Sequence, residues 1–124
     1  SLKGEKVMLK EIREREVSGH PEVTVLDCVG SSTLSNDWRP IAAAVRRLVE
    51  SGRTKILLNL SELEMIESGG IDEIRTSSLA VRRQGGTLKL LGPSQFVAGF
   101  LATTGVLDLF QFFYDEQKAI DSFA

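Results

Sequence analysis

Residues Lys55–Ile71 read KILLNLSELEMIESGGI, and this stretch decides the fold. Lys55–Leu60 is short and apolar, the pattern of a buried strand. Ser61–Glu67 (SELEMIE) is an acidic loop. Ser68-Gly69-Gly70 then opens a helix expected over Gly69–Gln84, with Ile71, Ile74, Ser78 and Val81 on its inner face. Gly85-Gly86 stops it. A strand, a loop and a helix in that order form a β-α unit. In open α/β sheets the loops at the carboxyl ends of strands carry function.

Working outward, the same alternation repeats. Upstream, Val23–Val29 (VTVLDCV) is β-branched and reads as a buried strand. Val7–Val17 is charged and weaker, and the turn signal Ser18-Gly19-His20-Pro21 joins the two as a hairpin with Val7–Val17 at the sheet edge. Trp38, Ile41, Ala42, Val45, Leu48 and Val49 recur at helical spacing, with Arg39, Arg46, Arg47 and Glu50 on the other side. Ser35, Asn36 and Asp37 offer capping oxygens, Pro40 suits a first turn, and Gly52 suits the end. Downstream, Thr87–Leu91 is a strand. Gln95–Thr103 is a short helix expected to bury Phe96, Val97, Phe100 and Leu101, and Gly105 closes it. Leu107–Phe113 holds a last short strand or turn, with Phe110, Phe112 and Phe113 as core and edge packing. Asp115–Phe123 reads as a terminal helix with Ala119, Ile120 and Phe123 inward. The order β-β-α-β-α-β-α-β-α predicts an α/β fold: a mixed sheet, an opening hairpin followed by β-α units, with helices mainly on one face. No linker or repeat interrupts residues 1–124, so a single domain is expected.

Composition narrows the function. The chain has 124 residues, 15 Lys plus Arg against 17 Asp plus Glu, and a net charge of −2, so it has no global basic footprint for nucleic acid. No apolar run approaches the roughly 18 residues that would insert into a membrane. The lone Cys28 precludes an internal disulfide, and the opening residues hold no signal-peptide core. Together these predict a cytoplasmic protein. With one His and one Cys, a metal site is not expected. P-loop, dinucleotide and nucleophile-elbow motifs are all missing, and a catalytic triad would have to use His20, which sits in the expected turn. Cys28 reads as a small buried hydrophobe. Neither enzymatic activity nor a cofactor is expected.

Ser68 stands out by position. As a plain structural residue it would cap the helix that follows. The same place suits regulation, because a helix N-terminus tolerates a phosphate electrostatically. A phosphate adds about −1.5 to −2 charge. Here it would join Glu62, Glu64, Glu67, Asp72 and Glu73, reshaping a docking face without refolding the domain. Arg75, Arg82 and Arg83 read as a solvated helix face that could also meet an acidic partner.

KILLNLSELEMIESGGI, VTVLDCVG, GGTLKLLGPS and FLATTGVLDLF together resemble the STAS domain. That family includes bacterial anti-sigma factor antagonists and the cytoplasmic tails of sulfate transporters. The resemblance covers nearly the whole chain and implies partner switching. The dephosphorylated antagonist binds an anti-sigma factor that is also a serine kinase, and phosphorylation of the first serine in a D-S-S-G signature reverses this. That serine is matched by Ser68. Glu67 stands for the aspartate, Gly69 for the second serine, Gly70 for the glycine and Asp72 for a small residue, while Gly30-Ser31-Ser32-Thr33 replaces an acidic turn. The resemblance therefore implies a phosphorylated Ser68 and a partner-binding face of Glu67, Ser68, Gly69, Gly70 and Asp72, where the Asp72 charge could partly imitate the modified state. Homo-oligomers are also compatible with it. The alternative is a scaffold subunit of a signalling or transporter-associated complex that does not switch. A weak nucleotide-binding domain is a third, less supported reading.

Overall fold

The computed structural model describes residues 9–30, 37–105 and 109–123. Its elements run β1 Leu9–Val17, β2 His20–Gly30, α1 Arg39–Glu50, β3 Lys55–Asn59, α2 Ser68–Arg83, β4 Thr87–Leu91, α3 Gln95–Thr103, β5 Phe112–Phe113 and α4 Glu116–Asp121. The element order is the one expected. The strands form one sheet in the order β1-β2-β3-β4-β5. β1 pairs antiparallel with β2, and β2 through β5 are parallel neighbours. Because the order is monotonic, each right-handed crossover steps the same way and lays its helix on the same face.

Strand parity then sorts the core into two layers. Leu26 and Cys28 of β2, Ile56 and Leu58 of β3, and Leu88 and Leu90 of β4 face the layer built by α1, α2 and α3. Val23, Val25, Leu57 and Leu91 face the opposite way, where α4 covers them with Ala119, Ile120 and Phe123. Both faces are covered, which is why the parallel strands read as unbroken apolar runs. Cys28 is fully buried, and that burial pushes its thiol pKa up. Phe110 and Phe112 pack against the larger layer and Phe113 against the smaller.

Several local expectations needed adjustment. The hairpin turn is only Ser18-Gly19, with Gly19 at φ +82°, so His20 and Pro21 already belong to β2. Pairing jumps from Val17–His20 to Glu16–Thr24, and this irregularity accommodates Pro21, which has no amide to donate. His20 is half-buried, within 3.7 Å of Glu22 and 3.9 Å of Asp121. The cap position of α1 is Trp38, without a side-chain cap bond. Asp37 instead accepts from the Arg39 amide at 3.1 Å, and Ser35 and Asn36 lie outside the described residues. Phe96 is 62% exposed rather than buried, whereas Val97 and Leu101 point α3 into the core and Phe100 packs against it half-buried. The last strand is just two residues, and 106–108 lie outside the described residues.

α4 is attached to the smaller layer by polar contacts as well. Lys89 is buried, and its ammonium donates to the Ser122 carbonyl at 2.9 Å and hydroxyl at 2.7 Å. It also lies 4.5 Å from the Phe123 ring centre. Burial holds the Lys89 pKa below the ordinary lysine value. At neutral pH both states keep the proton, so the folded state carries the whole penalty of the buried charge. As pH rises past the lowered folded value, the unfolded chain binds more protons and stability climbs, up to the unfolded value near 10.4. Urea titrations from pH 7 to 10.5 should show the wild type gaining stability relative to Lys89→Met. A constant difference would place the amine in water.

Candidate functional site

The rim at the carboxyl ends of β2, β3 and β4 collects the starts of α1, α2 and α3, because each of these helices follows one of those strands. The loop from Leu60 to Glu67 shapes this rim. It is not simply solvated: Leu63 and Ile66 are 2% and 3% exposed and drop into the larger core layer. Asn59 fixes its start, since the Asn59 Oδ1 accepts from the Ser61 amide at 3.0 Å and hydroxyl at 2.7 Å. Glu62 and Glu64 are left outward and exposed.

The loop delivers Glu67 to the cap position of α2 and Ser68 to its first helical position. The expected capping role of Ser68 is therefore not the observed one. The cap position belongs to Glu67, which makes no side-chain cap bond. Its carboxylate is turned sideways, accepting from the Trp38 indole Nε1 at 2.9 Å. The first intrahelical bond runs from the Ile71 amide to the Glu67 carbonyl. The amides of Ser68, Gly69 and Gly70 precede it and have no intrahelical acceptor. The Ser68 side chain is exposed.

Trp38 explains the glycines. Trp38 is 5% exposed, and its ring packs against the first turn of α2. A methyl group on Gly69 would come 3.3 Å from the indole, and one on Gly70 would come 2.8 Å from Ile66 Cγ1 and 2.9 Å from the ring. Gly70 is buried by this contact, while Gly69 stays exposed. Sequence reading placed Trp38 on the apolar face of α1 and missed its contact with α2. The paired glycines signalled that something approaches closely there, though nothing in the sequence named the approaching group.

Of the residues singled out from sequence, Glu67, Ser68, Gly69, Gly70 and Asp72 all lie in the cap and first turns of α2. Ser68 and Asp72 are four apart and so share a face. Asp72 is exposed and accepts from Arg75 at 3.1 Å, which offsets part of its charge. Arg39, at the start of α1, donates to the Asp37 carboxylate at 2.8 Å and 2.9 Å, which raises its pKa, with Glu73 a lesser contributor. Ser31, Ser32 and Thr33 lie outside the described residues. Among the described residues, no helix is long and apolar enough to cross a membrane.

Solved structures with this architecture include a putative anti-sigma factor antagonist from Thermotoga maritima. It is 18% identical, with a TM-score of 0.71 over 90% of this chain and 93% of that one. An anti-sigma factor antagonist from Mycobacterium paratuberculosis aligns at a TM-score of 0.75 and 14% identity, covering 91% of this chain and 92% of that one. The Bacillus cell fate determinant SpoIIAA, solved in its phosphorylated form, aligns at 0.66 and 20% identity, covering 90% and 98%. At these identities the likeness is one of fold. A search of curated protein sequences returns no match. The family model described as STAS domain matches residues 14–119, which takes in every strand pairing from β2 to β5, the Trp38–Glu67 contact and the Ser68 turn, and the chain belongs to the STAS domain family.

Proposed function

We propose that this protein is a regulatory binding module of the anti-sigma factor antagonist type, a single non-catalytic domain over residues 1–124 whose partner binding is switched by phosphorylation of Ser68. The observation that carries this reading is the placement of Ser68. It is exposed at the first helical position of α2, on a rigid turn backed by Trp38. Its hydroxyl is accessible to a kinase, while the turn beneath is held in place. SpoIIAA, a neighbour of similar fold solved in phosphorylated and unphosphorylated forms, supports a phosphorylation switch on this scaffold.

The electrostatics support the same reading. A phosphate on Ser68 would meet first-turn amides that have no intrahelical acceptor and the positive end of the α2 dipole, which stabilise it without a change of fold. It would also stand beside Asp72 and near Glu64 and Glu67, concentrating negative charge on one face. An acidic surface of the partner would then be repelled. Glu67, Ser68, Gly69 and Asp72 form the docking rim, and Gly70 acts from below by admitting Trp38. The partner in this reading is an anti-sigma factor with serine kinase activity. Such a switch draws on ATP and acts in the cytoplasm.

The test uses the whole chain as bait in lysate of its native cell, with ATP, comparing wild type, Ser68→Ala and Ser68→Glu. An ATPase-fold kinase should be retained by wild type and Ser68→Ala, with phosphate found at Ser68 of the wild type alone. Ser68→Glu should bind about tenfold more weakly, a difference of about 1.4 kcal/mol. Retention of other STAS proteins only, equally by all three baits and with Ser68 unmodified, would overturn the switch and favour the scaffold reading.

A further inference from the structure

A second surface lies on the flank of α2 away from the Ser68 rim. Arg75, Leu79 and Arg82 are spaced i, i+4 and i+7, so they form one stripe along the helix. Opposite them stand Leu109 and Phe110, just before β5. Leu79 is 45% exposed and Leu109 50%, two of the few large apolar side chains left in water among the described residues. Between the two walls runs a depression of about 160 Å³ lined by Arg75, Ser78, Leu79, Arg82, Leu109 and Phe110. It continues past Ser78 and Arg82 into a second of about 200 Å³ beside Gly86 and Thr87.

The charge of this groove runs against that of the chain. The net charge is −2, yet no described residue lining either depression is acidic. Arg82 has no carboxylate within ion-pair range among the described residues, and Arg75 has only the exposed contact to Asp72. Arg82 and Arg83 also sit in the last turn of α2, where cations complement the helix dipole. That role accounts for neither Arg75, which lies mid-helix, nor the leucines beside it. Ser68 is about 21 Å from Arg82 along the helix axis, at about 1.5 Å per residue.

We propose that this groove docks an acidic amphipathic helix of a partner protein. Leucine-type side chains of that helix would fill the depression over Leu79, Leu109 and Phe110. Carboxylates two turns apart would meet Arg75 and Arg82, because seven residues rise roughly 10 Å on either helix. The apolar floor supplies burial, and the arginines select an acidic sequence and speed its approach. The groove is independent of Ser68 phosphorylation, and the inference does not rest on the switching reading.

The test is a ¹⁵N NMR titration of the full chain with a synthetic helical peptide of about 15 residues, long enough to hold helix in part. The peptide carries Glu at i and i+7 and Leu at i+3 and i+4, and a control peptide carries Lys for Glu. The acidic peptide should shift the amides of Arg75, Leu79, Arg82, Leu109 and Phe110, leaving Ser68–Gly70 unmoved. Its affinity should fall severalfold with added salt and at least about tenfold in the Arg75→Glu/Arg82→Glu double variant. Both side chains lie outside the core, so the double variant should keep its unfolding midpoint within a few degrees. No shifts at about 1 mM peptide, equal binding of the lysine peptide, or shifts confined to Ser68–Gly70 would each overturn the proposal. Shifts at the groove on concentrating the free chain alone would also overturn it, by making the occupant a second copy.

Discussion

Gly70→Ala is expected to destabilise the protein by about 1–3 kcal/mol, although alanine is the better helix former. The added methyl would lie 2.8 Å from Ile66 Cγ1 and 2.9 Å from the Trp38 ring, inside normal contact with two buried groups. Neither group has room to retreat, since Trp38 is 5% and Ile66 3% exposed. The same substitution at Gly99 of α3 meets nothing within 4 Å and should stabilise by about 0.5–1 kcal/mol. Urea unfolding of both variants measures the contrast. In a Trp38→Leu background the Gly70→Ala cost should shrink by about 1 kcal/mol or more, the coupling expected of side chains in direct contact. Additive effects would show that some other group confines the turn. Trp38 is the only tryptophan, so its fluorescence reports directly on this contact.

Asp27→Ala is expected to cost about 2–3 kcal/mol. Asp27 is 7% exposed, yet its carboxylate is fully engaged. It accepts from Arg15 Nε at 2.6 Å, from Arg15 Nη2 at 3.0 Å and from Asn59 at 2.8 Å. Arg15 extends the network to Glu116 at the start of α4, at 2.8 Å and 3.1 Å. Asn59 extends it to Ser61 and so to the loop carrying the Ser68 turn. Removing the carboxylate strands the Asn59 amide donor and leaves Arg15 with Glu116 alone. Breaking a fully buried pair costs about 3–5 kcal/mol, and the smaller figure here reflects the Arg15 side chain, which is 39% exposed and can take up water.

The pH dependence of the same group follows. Burial alone would raise the Asp27 pKa, but the hydrogen bonds from Arg15 and Asn59 outweigh it and hold the pKa below the ordinary carboxylate value. A lowered folded pKa contributes stability that is present above the unfolded value near 3.9 and is lost as pH falls through the folded value. The stability advantage of wild type over Asp27→Asn should therefore shrink below about pH 4. Denaturation curves from pH 6 to 2 would show it, and a difference that stays constant to pH 2 would mean that Asp27 is not held as a paired carboxylate.

The strands β2, β3 and β4, the helices α1 and α2 and the element order were legible in the sequence because each rests on local spacing. A continuous apolar run of five or six residues must be covered on both sides, and an i, i+3, i+4, i+7 stripe must face one way. The Ser68 position was legible for the same reason, as a strand, a loop and a helix in series. Phe96 shows where local spacing stops short. α3 has apolar residues nearly all round, so periodicity could not choose its buried face; packing buried Val97 and Leu101 as expected, left Phe100 half-buried and turned Phe96 out to water. Leu63 and Ile66 were read as part of an acidic loop, since alternation with glutamates hides a core-facing pair.

What the sequence by itself determined is the α/β order, the mixed sheet and the placing of a serine at a helix start. Only the tertiary structure decided what surrounds that serine. Trp38 and Glu67 are far apart in the chain, and so are Arg15, Asp27 and Glu116. Their contacts depend on how α1 settles beside α2 and how α4 closes the second face, and both follow from shape and burial summed over the whole sheet. The groove between Arg75, Leu79 and Leu109 arises in the same way, from two segments that no periodicity links.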